Sequence, residues 1–319
     1  MSVTATAPGK LMLLGEHAVV YDQPCLVTTV DLRYTATVEH TEASEVRIST
    51  PQLDAERVVP LDVVGEDVPR ETAFVEAVIA RFRNAFGVDG GIQLTTDGPT
   101  LSYGLGSSSA VTVATAAALA SLHQVTLEPR ALFDLCYGAV LDVQGSGSGY
   151  DVASAVYGGT LYYRRVDRTI EPLDVATLPL VVGYSGSKVG TVGLVQSVRD
   201  RRARFPGLVD ALFATAGDAV ETARDAIAIG DWATFGEIAD IAQGVTDGLG
   251  VNTGRLSRLV YAARDAGALG AKLSGAGGGD CMFAVAPAER RDAVEAALTA
   301  AEAEIVRLPL GGAGVRIEP

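Results

Sequence analysis

The sequence predicts an α+β fold in two domains, and three observations lead there. Strand-like and helix-like segments interleave along all 319 residues. The texture changes after Thr177, beyond which long helical stretches dominate. The length is about twice that of a typical domain. A boundary near residue 178 is expected, dividing the chain into domains 1–178 and 179–319.

Taken in order, the first third reads as β-rich. Segments 3–7, 10–14, 26–39 and 92–96 carry β-branched residues between Gly, Pro and Asp punctuation. A helix is expected over 71–86, where Phe74, Val75, Val78, Ile79, Phe82 and Phe86 recur at helical spacing. A Gly/Ser turn at 104–109 then feeds an Ala-rich helix to about His123, followed by a helix over 129–143 and a strand over 158–164. The second half opens on a strand at 180–184 and continues in helices at about 189–203, 207–229, 231–248 and 254–266. Strand, glycine cluster and strand occupy 270–286, a helix covers 288–302, and a strand at 304–308 closes the pattern.

Composition narrows the function. Hydrophobic residues are 48% and charged residues 20%, a globular balance with ample core. The net charge of −14 argues against nucleic acid or an anionic membrane as partner. An anionic ligand would therefore depend on local amides, a few cations and a metal. Three cysteines without CxxC spacing read as free thiols of a reducing cytosol. The first ten residues lack the features of a secretory signal. The most apolar helical stretch, 110–122, is too short to span a bilayer. A cytoplasmic protein is the expectation.

Gly104-Leu105-Gly106-Ser107-Ser108-Ser109 is the most informative segment. Glycines let the main chain turn with its N–H groups inward, and a helix start adds unpaired donors and a positive dipole end. Ser107 and Ser108 can add hydroxyls to phosphate oxygens or to Mg²⁺. A plain turn with Ser capping the helix has the same spelling, and on this segment alone both readings stand. The GxxxxGK[ST] pattern is absent, which disfavours a Walker-type NTPase, and no Rossmann fingerprint is supported.

Gly275-Ala276-Gly277-Gly278-Gly279, after Lys272-Leu273-Ser274, forms a second glycine loop. Four glycines in five residues carry an entropic cost, so a close backbone approach is expected; a tight strand connection is the alternative. A third flexible segment, 145–149, leads into Tyr150-Asp151. Taken singly, Asp151 reads first as a helix cap; its functional reading is a carboxylate that orients or accepts a hydroxyl proton. Lys10, Glu16 and His17 border an apolar run, a pattern that on a single strand end is usually solvated surface. The three histidines, His17, His40 and His123, show no zinc-ligand spacing.

In order and spacing, APGKLMLLGEHAVVY, GLGSSSA and KLSGAGGGDC resemble the three motifs of the GHMP kinases. The likeness extends over nearly the whole chain through VGYSGSKVGTVGLVQSVRDRR and GLGVNTGRLSRLVYAARDAGALGAKLSGAGGG, and GEHAVVYDQP is most similar to the mevalonate kinase branch. The resemblance implies an N-terminal domain like ribosomal S5 domain 2 and a ferredoxin-like C-terminal domain, with the acceptor bound between them. It implies transfer of the γ-phosphoryl group of ATP, with Mg²⁺, to the 5-hydroxyl of mevalonate in isoprenoid precursor synthesis. Carried onto this sequence, Gly104, Leu105, Gly106, Ser107, Ser108 and Ser109 hold the nucleotide, and Ser108 touches Mg²⁺ or the phosphates. Asp151 faces the acceptor hydroxyl, and Lys10 pairs with Asp151 and the transferring phosphoryl group. Glu16, His17, Ser148 and Thr191 border the acceptor, while Gly275, Ala276, Gly277 and Gly278 shape the transfer site. Phosphoryl transfer needs alignment and charge neutralisation more than covalent help. Such enzymes are commonly dimers, so a homodimer is carried as the expected assembly.

Three departures bear on the acceptor and the metal. The family's Mg²⁺-binding Glu falls on Val140, with Asp142 the candidate substitute. PSGxD appears as GSGYD, and the third motif ends in Asp280 where mevalonate kinases commonly carry Gly. The last two features resemble phosphomevalonate kinases, which makes phosphomevalonate the alternative acceptor. Lys188, Arg199 and Arg201 are the candidate cations for its phosphate. A catalytically silent GHMP-fold ligand sensor is the non-enzymatic alternative, favoured by Val140 and opposed by Lys10, Ser108 and Asp151.

Overall fold

The computed structural model describes residues 2–99, 103–175, 177–187 and 190–319, and only the main chain of residues 191 and 192. The strands are β1 Ser2–Leu14, β2 Cys25–Thr41, β3 Glu45–Thr50, β4 Ala55–Pro60, β5 Gly91–Asp97, β6 Thr160–Arg164, β7 Thr169–Leu173, β8 Leu180–Tyr184, β9 Gly270–Leu273, β10 Cys281–Val285, β11 Glu304–Ile305 and β12 Arg316–Ile317. The helices are α1 Ala73–Phe86, α2 Ser107–Leu122, α3 Pro129–Gln144, α4 Tyr150–Tyr157, α5 Thr191–Arg204, α6 Pro206–Ile229, α7 Trp232–Leu249, α8 Gly254–Asp265 and α9 Arg291–Ala300.

Two compact units result, each discontinuous in sequence. The first comprises Met1–Lys10, Thr29–Gly159 and Gly312–Pro319, and the second Leu11–Thr28 and Thr160–Gly311. A single cut near residue 178 does not reproduce this division. Strands β1 and β2 each continue from one unit into the other, and the C-terminal residues return to the first.

In the first unit the strand order is β12-β1-β2-β5-β3-β4. β2 runs antiparallel to β5, whereas β3 joins β5 in parallel, so the sheet is mixed. Helix α2 is buried on most of its circumference, as its near-continuous Ala/Thr/Val composition requires. Helix α1 buries Val75, Val78, Ile79 and Phe82 as its spacing predicts, and leaves Phe86 exposed.

Segments 3–7 and 10–14, expected as two strands, form one. Pro8-Gly9 marks the place where the 104–106 loop approaches β1, and the strand does not end there. The Lys10 amide donates to the Leu105 carbonyl at 2.7 Å, and a Cβ on Gly9 would lie 2.7 Å from that same oxygen. The β3–β4 hairpin and the β7 strand were not singled out: β4 and β7 are short, half-exposed and weakly patterned, whereas β3 does alternate, with Val46 and Ile48 buried about an exposed Arg47.

The second unit is built on an antiparallel sheet, β11-β8-β10-β9, with Phe283 on β10 opposite both Val182 and Lys272. Leu256, Leu259, Val260, Met282, Val294 and Leu298 form one core, and Val198, Val209, Phe213, Val245 and Leu249 another. β6 pairs with residues 25–28 of β2 and with β7. Among the described residues no helix is long and apolar enough to cross a membrane.

Candidate active site

In the first unit the site begins with the backbone. Gly104 and Gly106 adopt φ of 74° and 83°, left-handed values that a side chain would strain. Gly106 is the N-cap of α2, and no side chain caps that helix start. The amides of Ser107, Ser108 and Ser109 precede the first intrahelical bond, Ala110 N–H to Gly106 at 3.1 Å, so they are donors available to an anion. The reading of a Ser-capped helix is thereby replaced: the serines lie inside the first turn.

The three serines are not equivalent. Ser107 is exposed and faces the Tyr34 hydroxyl, whose pKa burial raises. Ser108 is also exposed. Ser109 is buried, and its hydroxyl donates to Asp151 Oδ2 at 2.8 Å. The other carboxylate oxygen accepts the Val152 amide at 3.0 Å. Asp151 therefore sits in the first turn of α4, whose N-cap is Gly149 with φ of 87°, and is not itself the cap.

Lys10 is buried along the same loop. Its Nζ donates to the Gly104 carbonyl at 3.1 Å and lies 5.6 Å from the centre of the Tyr150 ring. A Cβ on Gly106 would come within 2.9 Å of Lys10 Cγ, so this glycine makes room for the lysine as well as turning the chain. Ser148 precedes the α4 cap, and the loop before it is tied down by Tyr137 Oη donating to the Gly147 carbonyl at 2.9 Å.

Val140 is buried in α3. Asp142 makes a two-pronged ion pair with Arg81, one arm at 2.8 Å, and that guanidinium holds its carboxyl below the usual range. Gly138 accommodates the pair, since a Cβ there would meet the guanidinium at 2.4 Å. Asp142 thus joins α3 to α1 through Arg81. Among the described residues no group of three His, Cys, Asp or Glu side chains is arranged to hold a metal.

The second unit carries the other predicted residues. Glu16 is buried in an ion pair with Lys272, a partner that sequence reasoning did not single out. His17 is buried with φ of 58°, and its Nε2–H donates to the Ala276 carbonyl at 2.9 Å. Burial lowers the imidazole pKa.

The glycine loop owes part of its composition to its own chain. A Cβ on Gly277 would lie 2.3 Å from the Val251 carbonyl oxygen, and one on Gly279 would lie 2.5 Å from that of Ser187. Gly275, with φ of 89°, faces open space. Asp280 takes φ of 58°, a conformation Asp tolerates better than most residues.

Among the candidate cations, Arg201 points to the Gly248 carbonyl at the end of α7, and Arg199 is exposed on α5. Lys188 and the Thr191 side chain lie outside the described residues.

Family models described as GHMP kinases N terminal domain and GHMP kinases C terminal match residues 73–159 and 223–304. The first match ends at the residue where the central segment of the first unit ends. The mevalonate kinase of Thermococcus sibiricus is 36% identical over 333 aligned positions, covering 100% of this chain and 99% of the relative. The structure of L. major mevalonate kinase in complex with R-mevalonate superposes with a TM-score of 0.77 at 25% identity, over 97% of this chain and 96% of that one. Streptococcus pneumoniae phosphomevalonate kinase, with a TM-score of 0.84 at 21% identity over 97% and 99% of the two chains, is similar in fold.

Proposed function

This chain belongs to the GHMP kinases, and from that premise we propose that it transfers the γ-phosphoryl group of ATP to the 5-hydroxyl of mevalonate. The observation that carries the mechanism is the Ser109–Asp151 hydrogen bond. It links a carboxylate directly to the first turn of the helix whose amides are free to bind an anion.

The residues fit a polyphosphate. Uncapped amides and the α2 dipole offset the phosphate charge locally, against an overall protein charge of −14. They also fit a metal that is held chiefly by phosphate oxygens and water. The exposed Ser108 hydroxyl is the protein group that would hold Mg²⁺, which when bound neutralises charge on the terminal phosphates. The Lys10 ammonium, fixed by the Gly104 carbonyl, adds positive charge for the phosphoryl group in transit. Asp151, held by Ser109 and the Val152 amide, orients the attacking hydroxyl and takes up its proton.

Full-length likeness favours mevalonate over phosphomevalonate, and Arg201, one cation that a second phosphate would use, is turned to α7. The same reading implies a cytoplasmic enzyme and keeps the homodimer as its assembly. An ADP-release assay over mevalonate, phosphomevalonate and simple sugars tests it. Mevalonate should release ADP in a Mg²⁺-dependent way. Turnover confined to phosphomevalonate, or ligand binding without turnover, overturns the proposal.

A further inference from the structure

The second unit holds a charged pair that the mechanism above does not use. Lys272 has no exposed side-chain surface and Glu16 only 2%. The ammonium is shared between the Glu16 carboxylate and the Leu273 carbonyl, the latter at 2.6 Å, and lies 5.4 Å from the Phe283 ring. Burial pulls the lysine pKa down while Glu16 pushes it back up. An ion pair this deep is often no more stabilising than apolar side chains of similar size, so stability alone does not account for it.

Its position does. Glu16 and His17 are neighbours in sequence and hold two points of one loop: Glu16 its root at Lys272, His17 its middle at Ala276. Ser274 adds a third tie, its hydroxyl donating to the Met12 carbonyl at 2.7 Å, and Gln243 a fourth, accepting the Leu273 amide at 2.9 Å. The holding segment is itself constrained. Gly15 has φ of 98° with Cys25 and Pro24 2.6 Å from any added Cβ, and His17 adopts a left-handed backbone that a non-glycine residue keeps only under such constraint. Gly275, between root and middle, faces open space.

We propose that the Glu16–Lys272 pair is a positioning device that sets where the Gly275–Gly278 backbone stands for the acceptor, without touching the acceptor. The inference rests on the mevalonate reading, and its test separates the two. In the double variant Glu16→Leu/Lys272→Met the charges go together, so neither is left buried alone. Its melting temperature should stay within a few degrees of the parent, while kcat/KM for mevalonate falls at least about 10-fold and KM for ATP stays within about twofold.

Glu16→Asp, which keeps both charges and shortens the reach by one methylene, should fold and show the same one-sided loss. It supplies the readout if the double variant does not fold. Hydrogen exchange should quicken at amides 275–279 and stay unchanged along β10. Parent-like mevalonate kinetics in a folded variant, or loss shared equally with ATP, overturns the proposal. If the parent enzyme does not phosphorylate mevalonate, the functional reading fails, and unchanged loop exchange in Glu16→Asp still decides the positioning role against it.

Discussion

Replacing Asp151 with Asn removes the charge and keeps the shape. The carboxylate accepts the Val152 amide on Oδ1 at 3.0 Å and the Ser109 hydroxyl on Oδ2 at 2.8 Å. An asparagine can keep its carbonyl oxygen at the first position and set its NH₂ against Ser109, whose hydroxyl then rotates to accept. Two hydrogen bonds survive, and only their charge-assisted part is lost, about 1 kcal/mol. The melting temperature should drop by roughly 2–4 °C.

The chemical step suffers far more, because the amide cannot take up the hydroxyl proton. Loss of a positioned general base slows turnover by about 10²–10⁴, roughly 3–5 kcal/mol on the barrier. KM for ATP should change less than about threefold, since Asn leaves in place the main-chain groups proposed to hold the nucleotide. Steady-state kinetics with mevalonate and ATP, alongside a thermal melt, measures all three quantities. A kcat within about threefold of the parent would refute the role given to Asp151. A melting loss above about 10 °C would refute the account of its hydrogen bonds.

Ser108→Ala should raise the Mg²⁺ concentration needed for half-maximal rate and lower kcat/KM for ATP by about 10-fold, read from Mg²⁺ titrations at fixed ATP. Asp142→Ala should leave Mg²⁺ dependence unchanged, since its carboxylate is held by Arg81, and should cost less than about 1 kcal/mol because the pair is half exposed. Acidification should destabilise the fold through His17 and His123. Both fall below the ordinary imidazole value of 6.5, His17 by burial, and His123 by burial and by the positive charge of His40 and Arg83. The folded state then binds fewer protons than the unfolded chain, so this contribution is full above 6.5 and is lost as pH falls below it. Thermal melts at pH 7.5 and 5.5 should differ, the acidic one being lower; equal values count against buried neutral imidazoles.

Much of the fold was readable because local chemistry dictates it. Helix α1 announced itself through apolar spacing, and α6 and α7 matched the expected 207–229 and 231–248 to within a residue at each end. The 104–109 turn was legible from its glycines, and the left-handed φ at Gly104 and Gly106 shows why glycine is favoured there. Pro8-Gly9 misled, because those residues suit the approach of Leu105 to β1 and also look like a strand break. The glycine loop was legible as a place of close backbone approach, and Gly277 and Gly279 leave room for the Val251 and Ser187 carbonyls of the same chain.

What the sequence by itself determined is the list of reactive groups and the conformations of the turns that carry them. Left-handed glycines, helix periodicity and a first-turn serine cluster are properties of neighbouring residues. Which groups meet was decided only by tertiary structure. Ser109 and Asp151 stand 42 positions apart, and Glu16 and Lys272 are separated by 256. An ion pair or hydrogen bond leaves no periodic trace in the chain, because its energy depends on a distance that exists only after the strands and helices have packed. The same holds for Asp142: its composition suited a metal ligand, and its place opposite Arg81 made it a strut.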